Sequence, residues 1–321
     1  MQAPQLTGHD EAWRIWNAAL AGDRMHHGWI LAGREGLGKA TFARQAAAAL
    51  VAEPGVPQPA ADAHPDILTL SPLPANDDEA KKRADGKPYQ LKRNISVDQI
   101  REIQRRLTTR PTLGSRRAVI IDAADQLEKS AVNALLKSLE EPPVGTFFLL
   151  VVHALGRLLP TVRSRCTVVR FQPLTASEVA LVLDRLAPEL DATTRSAALA
   201  VAGGSPGAAL AFAQQDLGKA QTIFARILEQ GDADFALRGA LAGALGARPD
   251  RDRRRWTLRG RHCLARRAAR RADAAAADSD GNLRARAGAD ACGRRERVEF
   301  GRRLRAWVQL PWCVKRKTLY A

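Results

Sequence analysis

No stretch of this 321-residue sequence approaches the run of about 18 apolar residues that a membrane-spanning helix needs, so no membrane role is expected. Its opening residues, MQAPQLTGHDEAWRIW, lack the basic-then-apolar layout of a secretory signal. Cysteine is scarce: Cys166, Cys263, Cys292 and Cys313 stand far apart, with no CxxC pair or other metal-type spacing. That argues against a disulfide framework or a thiolate metal site and suits the reducing cytoplasm. Acid is also in deficit. There are 50 Lys and Arg residues against 34 Asp and Glu, a net charge of +16, the kind of surplus that usually points to nucleic acid. The surplus is not spread evenly, however. Residues 248–321 hold 22 of the basic residues and 8 of the acidic ones, so this last segment carries +14 of the net charge and the body is nearly neutral.

What is present is ordinary globular composition, 45% hydrophobic and 26% charged, in a chain long enough for two or three domains. Between 29 and 171 short apolar runs alternate with helical stretches. WILAG (29–33), PDILTL (65–70), AVIID (118–122), TFFLLVV (146–152) and TVVRF (167–171) read as buried strands. Helices are expected over 40–51, after the N-cap Ser96, and over 130–141, where Val132, Leu135, Leu136 and Leu139 share a face before Pro142 and Pro143 stop it. The polar, proline-bearing stretch 71–94 reads as an exposed insertion. Buried strands alternating with helices predict a parallel sheet covered on both faces. After 172 the pattern turns helical. TASE (175–178) is a capping box, DATTRSAALAVAGG closes on glycines, and Ser205-Pro206 opens a third helix.

One constellation carries chemistry. GREGLGK (33–39) lies between a strand and a helix, the context in which backbone N–H groups and a helix N-terminus cradle phosphate while a lysine reaches its oxygens. Gly33, Gly36, Gly38 and Lys39 are the candidate phosphate contacts. On its own the segment also fits a glycine-rich turn with a surface lysine. A magnesium-ligating Ser or Thr belongs next, and Ala40 stands there. Asp122 supplies the strand-end carboxylate, or a plain turn carboxylate, but the residue after it is Ala123 rather than a water-activating Glu. Asp125 reads as a helix-start residue rather than a base. The two losses together point away from autonomous hydrolysis.

Taken in order, GREGLGK, HPD (64–66), ISVDQIREI, VIIDAADQLEKSAVNALLKSLEEPP, LLPTVRSRC and AGGSPGAALA resemble the delta prime subunits of bacterial DNA polymerase III clamp loaders, of the AAA+ class, over about residues 8–245. NALLKSLEEPP followed by SRC is the most specific part. Gly207, where ATP-hydrolysing gamma/tau subunits carry a nucleotide-sensing arginine, favours delta prime over them.

The resemblance implies a P-loop AAA+ domain over 1–172, a helical lid over 173–232 and a helical collar over 233–321. It implies a stator that works with gamma/tau and delta subunits to place the sliding clamp on primed DNA. Arg165 becomes an arginine finger reaching a neighbour's ATP site, with Ser164 and Cys166 positioning its loop, and the chain's own site is left degenerate toward ATP or ADP. Two family features are missing. Residues 52–66 contain none of the four cysteines of the zinc module, so no zinc and no other metal is expected.

From 248 the chain also lacks the amphipathic period that collar helices need. That tail reads either as a basic arm on DNA phosphates or as out-of-frame translation of a GC-rich gene. The abrupt break, where collar helices belong, favours the second, and the coding DNA in the other two frames tests it. Two competing functions stay open: an active gamma/tau-type ATPase, and a basic DNA-binding protein acting through its tail.

Overall fold

Strand β1 (Gly28–Ala32) is buried at every residue and sits inside a five-stranded sheet with β2 (Ile67–Leu70), β3 (Arg117–Asp122), β4 (Thr146–Val152) and β5 (Thr167–Arg170). The order across the sheet is β2-β3-β4-β1-β5, and every pairing is parallel. This computed structural model describes residues 6–214, except 23 and 88, and parts of 220–245. All of these lie in the first of two compact units, Met1–Gly260. Of the expected collar region, a helix over Ala236–Leu245 is described. The basic stretch from 248 lies outside the described residues.

Successive strand residues point to opposite faces, and here both faces are covered. Ile30, Val119, Ile121, Phe148 and Leu150 pack on one side with α4 (Val97–Leu107) and α5 (Lys129–Glu140), through Ile100, Val132, Leu135 and Leu139. Trp29, Leu31, Ile120, Leu149 and Val151 pack on the other with α1 (Asp10–Ala21) and α2 (Lys39–Val51). The alanines at 43, 46 and 47 let α2 lie close to the sheet, all fully buried. Trp16 of α1 meets Trp29 edge-on at 5.1 Å. This helix–sheet–helix layering is the parallel sheet covered on both faces that the alternation of strands and helices predicts. Truncating any one of these large core side chains to alanine costs about 2–5 kcal/mol.

The expected strands fall where the apolar runs are, within two residues at each end. Most described residues of the stretch 71–94 are exposed as expected, yet it is not structureless. A helix α3 (Asp77–Ala84) starts on Asn76, whose side chain accepts the Glu79 N–H at 2.9 Å. Glu79 then fastens the returning segment by accepting the Gln90 N–H at 2.6 Å. Helix α1 had no counterpart in the strand-and-helix reading above. Its signals were present in Asp10 and Glu11 of the first turn and in Trp13, Trp16 and Leu20 at helical spacing.

A short helix α6 (Pro160–Arg163) precedes β5. Beyond it α7 (Ala176–Leu186), α8 (Ala192–Ala202) and α9 (Pro206–Gln214) gather around a separate core of Leu174, Val179, Leu183, Ala198, Ala209 and Phe212. The capping box is made: Glu178 Oε2 accepts the Thr175 N–H at 2.7 Å, and Thr175 Oγ1 accepts the Glu178 N–H at 3.3 Å. No described helix is long and apolar enough to cross a membrane.

Candidate nucleotide site and arginine loop

The register of the sheet builds the site. Ala32 at the end of β1 lies opposite Val152 of β4, and Val151 lies opposite Asp122 of β3. The glycine loop after β1, Asp122 and His153 after β4 are therefore delivered to one edge, the carboxyl edge, as ligand sites in open parallel sheets generally are. A cavity of about 400 Å³ opens there, lined among others by Gly36, Lys39, Ala40, Asp122, His153 and Arg185. Its size suits a small-molecule ligand. Ala40 lines this cavity, and Ala123, which follows Asp122, is buried.

Gly36 and Gly38 have φ of 79° and 85°, backbone that only glycine adopts without strain. Lys39 is buried, and its Nζ donates to the Arg34 carbonyl at 2.7 Å, turned onto its own loop. Burial pushes the Lys39 pKa down to about 8, against the opposing pull of Asp122, Asp125 and Glu35. Asp122 is raised by desolvation, offset by His153 and Lys39. His153 is lowered by burial and by Lys39. Asp125 is the middle residue of a single 3-10 turn, Ala124–Gln126, and accepts the N–H groups of His153 and Ala154 at 3.0 and 3.2 Å. It clamps the end of β4.

The unit of α7, α8 and α9, the expected lid, bonds directly to the loop. Gly207 N–H donates to the Gly36 carbonyl at 2.9 Å, and Ser205 Oγ donates to the Glu35 carbonyl at 2.9 Å. A side chain at Gly207 has no room, because a Cβ there would lie 2.7 Å from Gly36 Cα. An arginine at this position is thus incompatible with the contact between lid and loop.

Arg165 lies elsewhere. A Cβ on Gly28, the first residue of β1, would meet the Arg165 carbonyl at 3.0 Å and Cys166 Sγ at 2.9 Å. The SRC segment therefore adjoins the start of β1, and the glycine loop follows its end. Five residues of strand separate them, roughly 16 Å at about 3.3 Å per residue. Arg165 Nη1 donates to the Thr161 carbonyl at 2.9 Å, and Nη2 lies 2.7 Å from Glu140 Oε1. Ser164 Oγ donates to the Thr161 carbonyl at 3.1 Å. Burial raises the Cys166 thiol to about 12, so it packs rather than reacts.

The HPD segment forms a structural bracket. His64 Nδ1 accepts the Asp66 N–H at 3.0 Å, and fully buried Asp66 accepts the N–H groups of Thr112 and Leu113 at 2.7 and 2.8 Å. Arg117 Nη2 reaches Asp66 at 3.4 Å and the Arg110 carbonyl at 2.8 Å.

By type and spacing, the sequence singles out Gly33, Gly36, Gly38, Lys39, Asp122 and, through the resemblance, Arg165. The structure brings the first five to one edge of the sheet and places Arg165 at the other. It adds His153 and Arg185 to the cavity, neither of which carries a local signal. Both depend on strand register and on where α7 docks.

The family model for "DNA polymerase III, delta subunit" matches residues 8–175, just over half of the chain. The DNA polymerase III subunit delta' of Pseudomonas aeruginosa is 35% identical over 205 residues, 60% of this chain and 57% of that protein. The subunit delta' of Escherichia coli K12 is 36% identical over 169 residues, 52% of this chain and 45% of its own. The DNA polymerase III subunit gamma of Buchnera aphidicola subsp. Schizaphis graminum is 30% identical over 156 residues, 49% and 41% of the two chains. The matched part thus spans about half the length of these relatives. A solved gamma subunit-related protein of Thermotoga maritima gives a TM-score of 0.39 at 21% identity, over 74% of this chain and 79% of its own, and adds nothing to what the topology shows. With half its length matched to the family model, and with delta' subunits similar to it at 35–36% identity, the chain belongs to the DNA polymerase III delta-subunit family.

Proposed function

We propose that this chain is a delta prime type subunit of a DNA polymerase III clamp loader, built from an AAA+ domain over 1–172 and a lid over 173–232. On this reading it works in the cytoplasm beside gamma/tau and delta subunits, helping to load the sliding clamp onto primed DNA. It hydrolyses little or no ATP itself and supplies Arg165 to a neighbour's ATP site. A guanidinium set against the γ-phosphate oxygens there stabilises charge developing in the transition state.

The observation that carries the reading is the placement of Arg165 at the amino edge, beside Gly28, while the chain's own phosphate loop occupies the carboxyl edge. From there the arginine serves another subunit's site and not its own. The state of the chain's own site supports the same division of labour. Lys39 is bonded to its loop, Ala40 and Ala123 replace hydrolytic groups, and Gly207 packs on Gly36. Nucleotide, where bound, would meet Gly36, Gly38 and Lys39, and the missing hydroxyl at Ala40 leaves magnesium without its usual protein ligand.

The deciding experiment combines this chain with ATPase partner subunits and measures ATP-dependent clamp loading. Arg165→Ala is expected to abolish most of the activity, and Lys39→Ala to leave it largely intact. Steady-state hydrolysis by the isolated chain that disappears in Lys39→Ala would instead establish a gamma/tau-type ATPase.

A further inference from the structure

The guanidinium of Arg165 is held from two directions. Nη1 donates to the Thr161 carbonyl at 2.9 Å and to Ser164 Oγ at 3.4 Å, contacts within its own loop. Nη2 lies 2.7 Å from Oε1 of Glu140, the last residue of α5. We infer that Glu140 is a positioning residue that competes with phosphate for Arg165, so that engaging a neighbour's nucleotide requires exchange of this carboxylate for a phosphate oxygen. The inference rests on Arg165 acting in trans.

Three observations support it. First, guanidinium binds oxyanions best through parallel N–H bonds. With Nη1 committed to the loop, the Nη2 side is where an anion must enter, and Glu140 occupies it.

Second, the two side chains are 36% and 48% exposed. Water and salt screen such a pair, which makes it weak and readily displaced by the larger charge of a polyphosphate. The chemically similar Asp66–Arg117 pair is only 1% and 6% exposed and is built to stay.

Third, a carboxylate in the last turn of a helix faces the negative end of the macrodipole. Glu140 therefore works against its own helix, and helix stability does not account for it. Glu141 beside it has the same charge and no described contact with Arg165, which makes it the natural control.

The test has two arms. In the isolated chain, the rate at which phenylglyoxal modifies Arg165 is followed by peptide mass spectrometry. Glu140→Gln should speed it on the order of two- to fivefold, the range of an exposed pair, with thermal stability unchanged or slightly raised. Glu141→Gln should leave it as it is. An unchanged Arg165 rate in Glu140→Gln, or a clear loss of stability, overturns the inference.

With ATPase partner subunits, Glu140→Gln should lower the KM for ATP by a similar factor at nearly constant kcat. The gain should vanish in the Glu140→Gln, Arg165→Ala double variant. If Arg165→Ala cuts the rate while Glu140→Gln leaves KM unchanged or raises it, the role of Glu140 falls and the trans assignment stands. If Arg165→Ala has no effect, both fall.

Discussion

The two edges of the sheet treat charge in opposite ways. At the carboxyl edge Lys39 is buried and turned onto its own loop, Asp125 is spent on backbone N–H groups, and the lid bonds directly to Glu35 and Gly36. At the amino edge beside β5, Arg165 and Glu140 stand partly exposed in a weak pair. The glycine loop and its surroundings are thus held by packing and backbone bonds. The arginine proposed to reach another molecule is left partly in water, where exchanging partners costs little. The amino edge itself is divided, because next to β2 the Asp66–Arg117 bracket is as closed as anything at the carboxyl edge.

Four changes would break or sharpen this contrast. The largest effect is expected from Asp66→Ala, which leaves Arg117 buried without its carboxylate. Chemical denaturation should show a loss of about 3–5 kcal/mol, and a loss below about 1 kcal/mol would mean that the bracket is as loose as the Arg165 pair.

Arg165→Ala should do the reverse. Hydrolysis by partner subunits is expected to fall on the order of a hundredfold or more, while the melting temperature of the chain stays within a degree or two of the parent. A shifted melting temperature with unchanged hydrolysis would make Arg165 a structural residue.

Gly207→Ala probes the contact between lid and loop. Its Cβ would lie 2.7 Å from backbone at Gly36, so the lid must shift, at about 1–3 kcal/mol. Limited proteolysis should show earlier cleavage within 173–214. Unchanged cleavage would mean that the lid does not lean on the loop in solution.

The last change concerns Lys39. Its pKa is depressed to about 8 from 10.5, so the folded state pays for a buried charge below pH 8. As pH rises through 8 the folded chain sheds that proton while the unfolded chain keeps it up to 10.5. The contribution of Lys39 to stability therefore rises across this window. Denaturation midpoints of the parent minus those of Lys39→Met should climb between pH 8 and 10. A flat difference would place Lys39 in water.

Much of the fold was legible because its signals are local. TFFLLVV is a strand from end to end, and SPGAALAFA begins its helix at Pro206. The Thr175–Glu178 box is recognisable from four letters. The helix inside 71–94 was not read, because Asp77–Ala84 is strongly polar and held by Asn76 and Glu79 rather than by an apolar stripe. In the candidate site, GREGLGK and Asp122 announced themselves by type and spacing. His153 and Arg185 did not, since a histidine after a strand and an arginine on a lid helix are commonplace until packing places both beside one cavity.

The sequence by itself determined all five strands and most of the helices, roughly where they start and stop, and that alanine stands at 40 and 123. Periodicity, capping and residue chemistry act over a few neighbours and need nothing distant. Only the tertiary structure decided that Lys39, Asp122 and His153 meet at one edge, that Gly207 lies against Gly36, and that Arg165 stands at the other edge in the grip of Glu140. Those relations follow from the direction and register of parallel strands drawn from distant parts of the chain, and from a lid packed back on the loop.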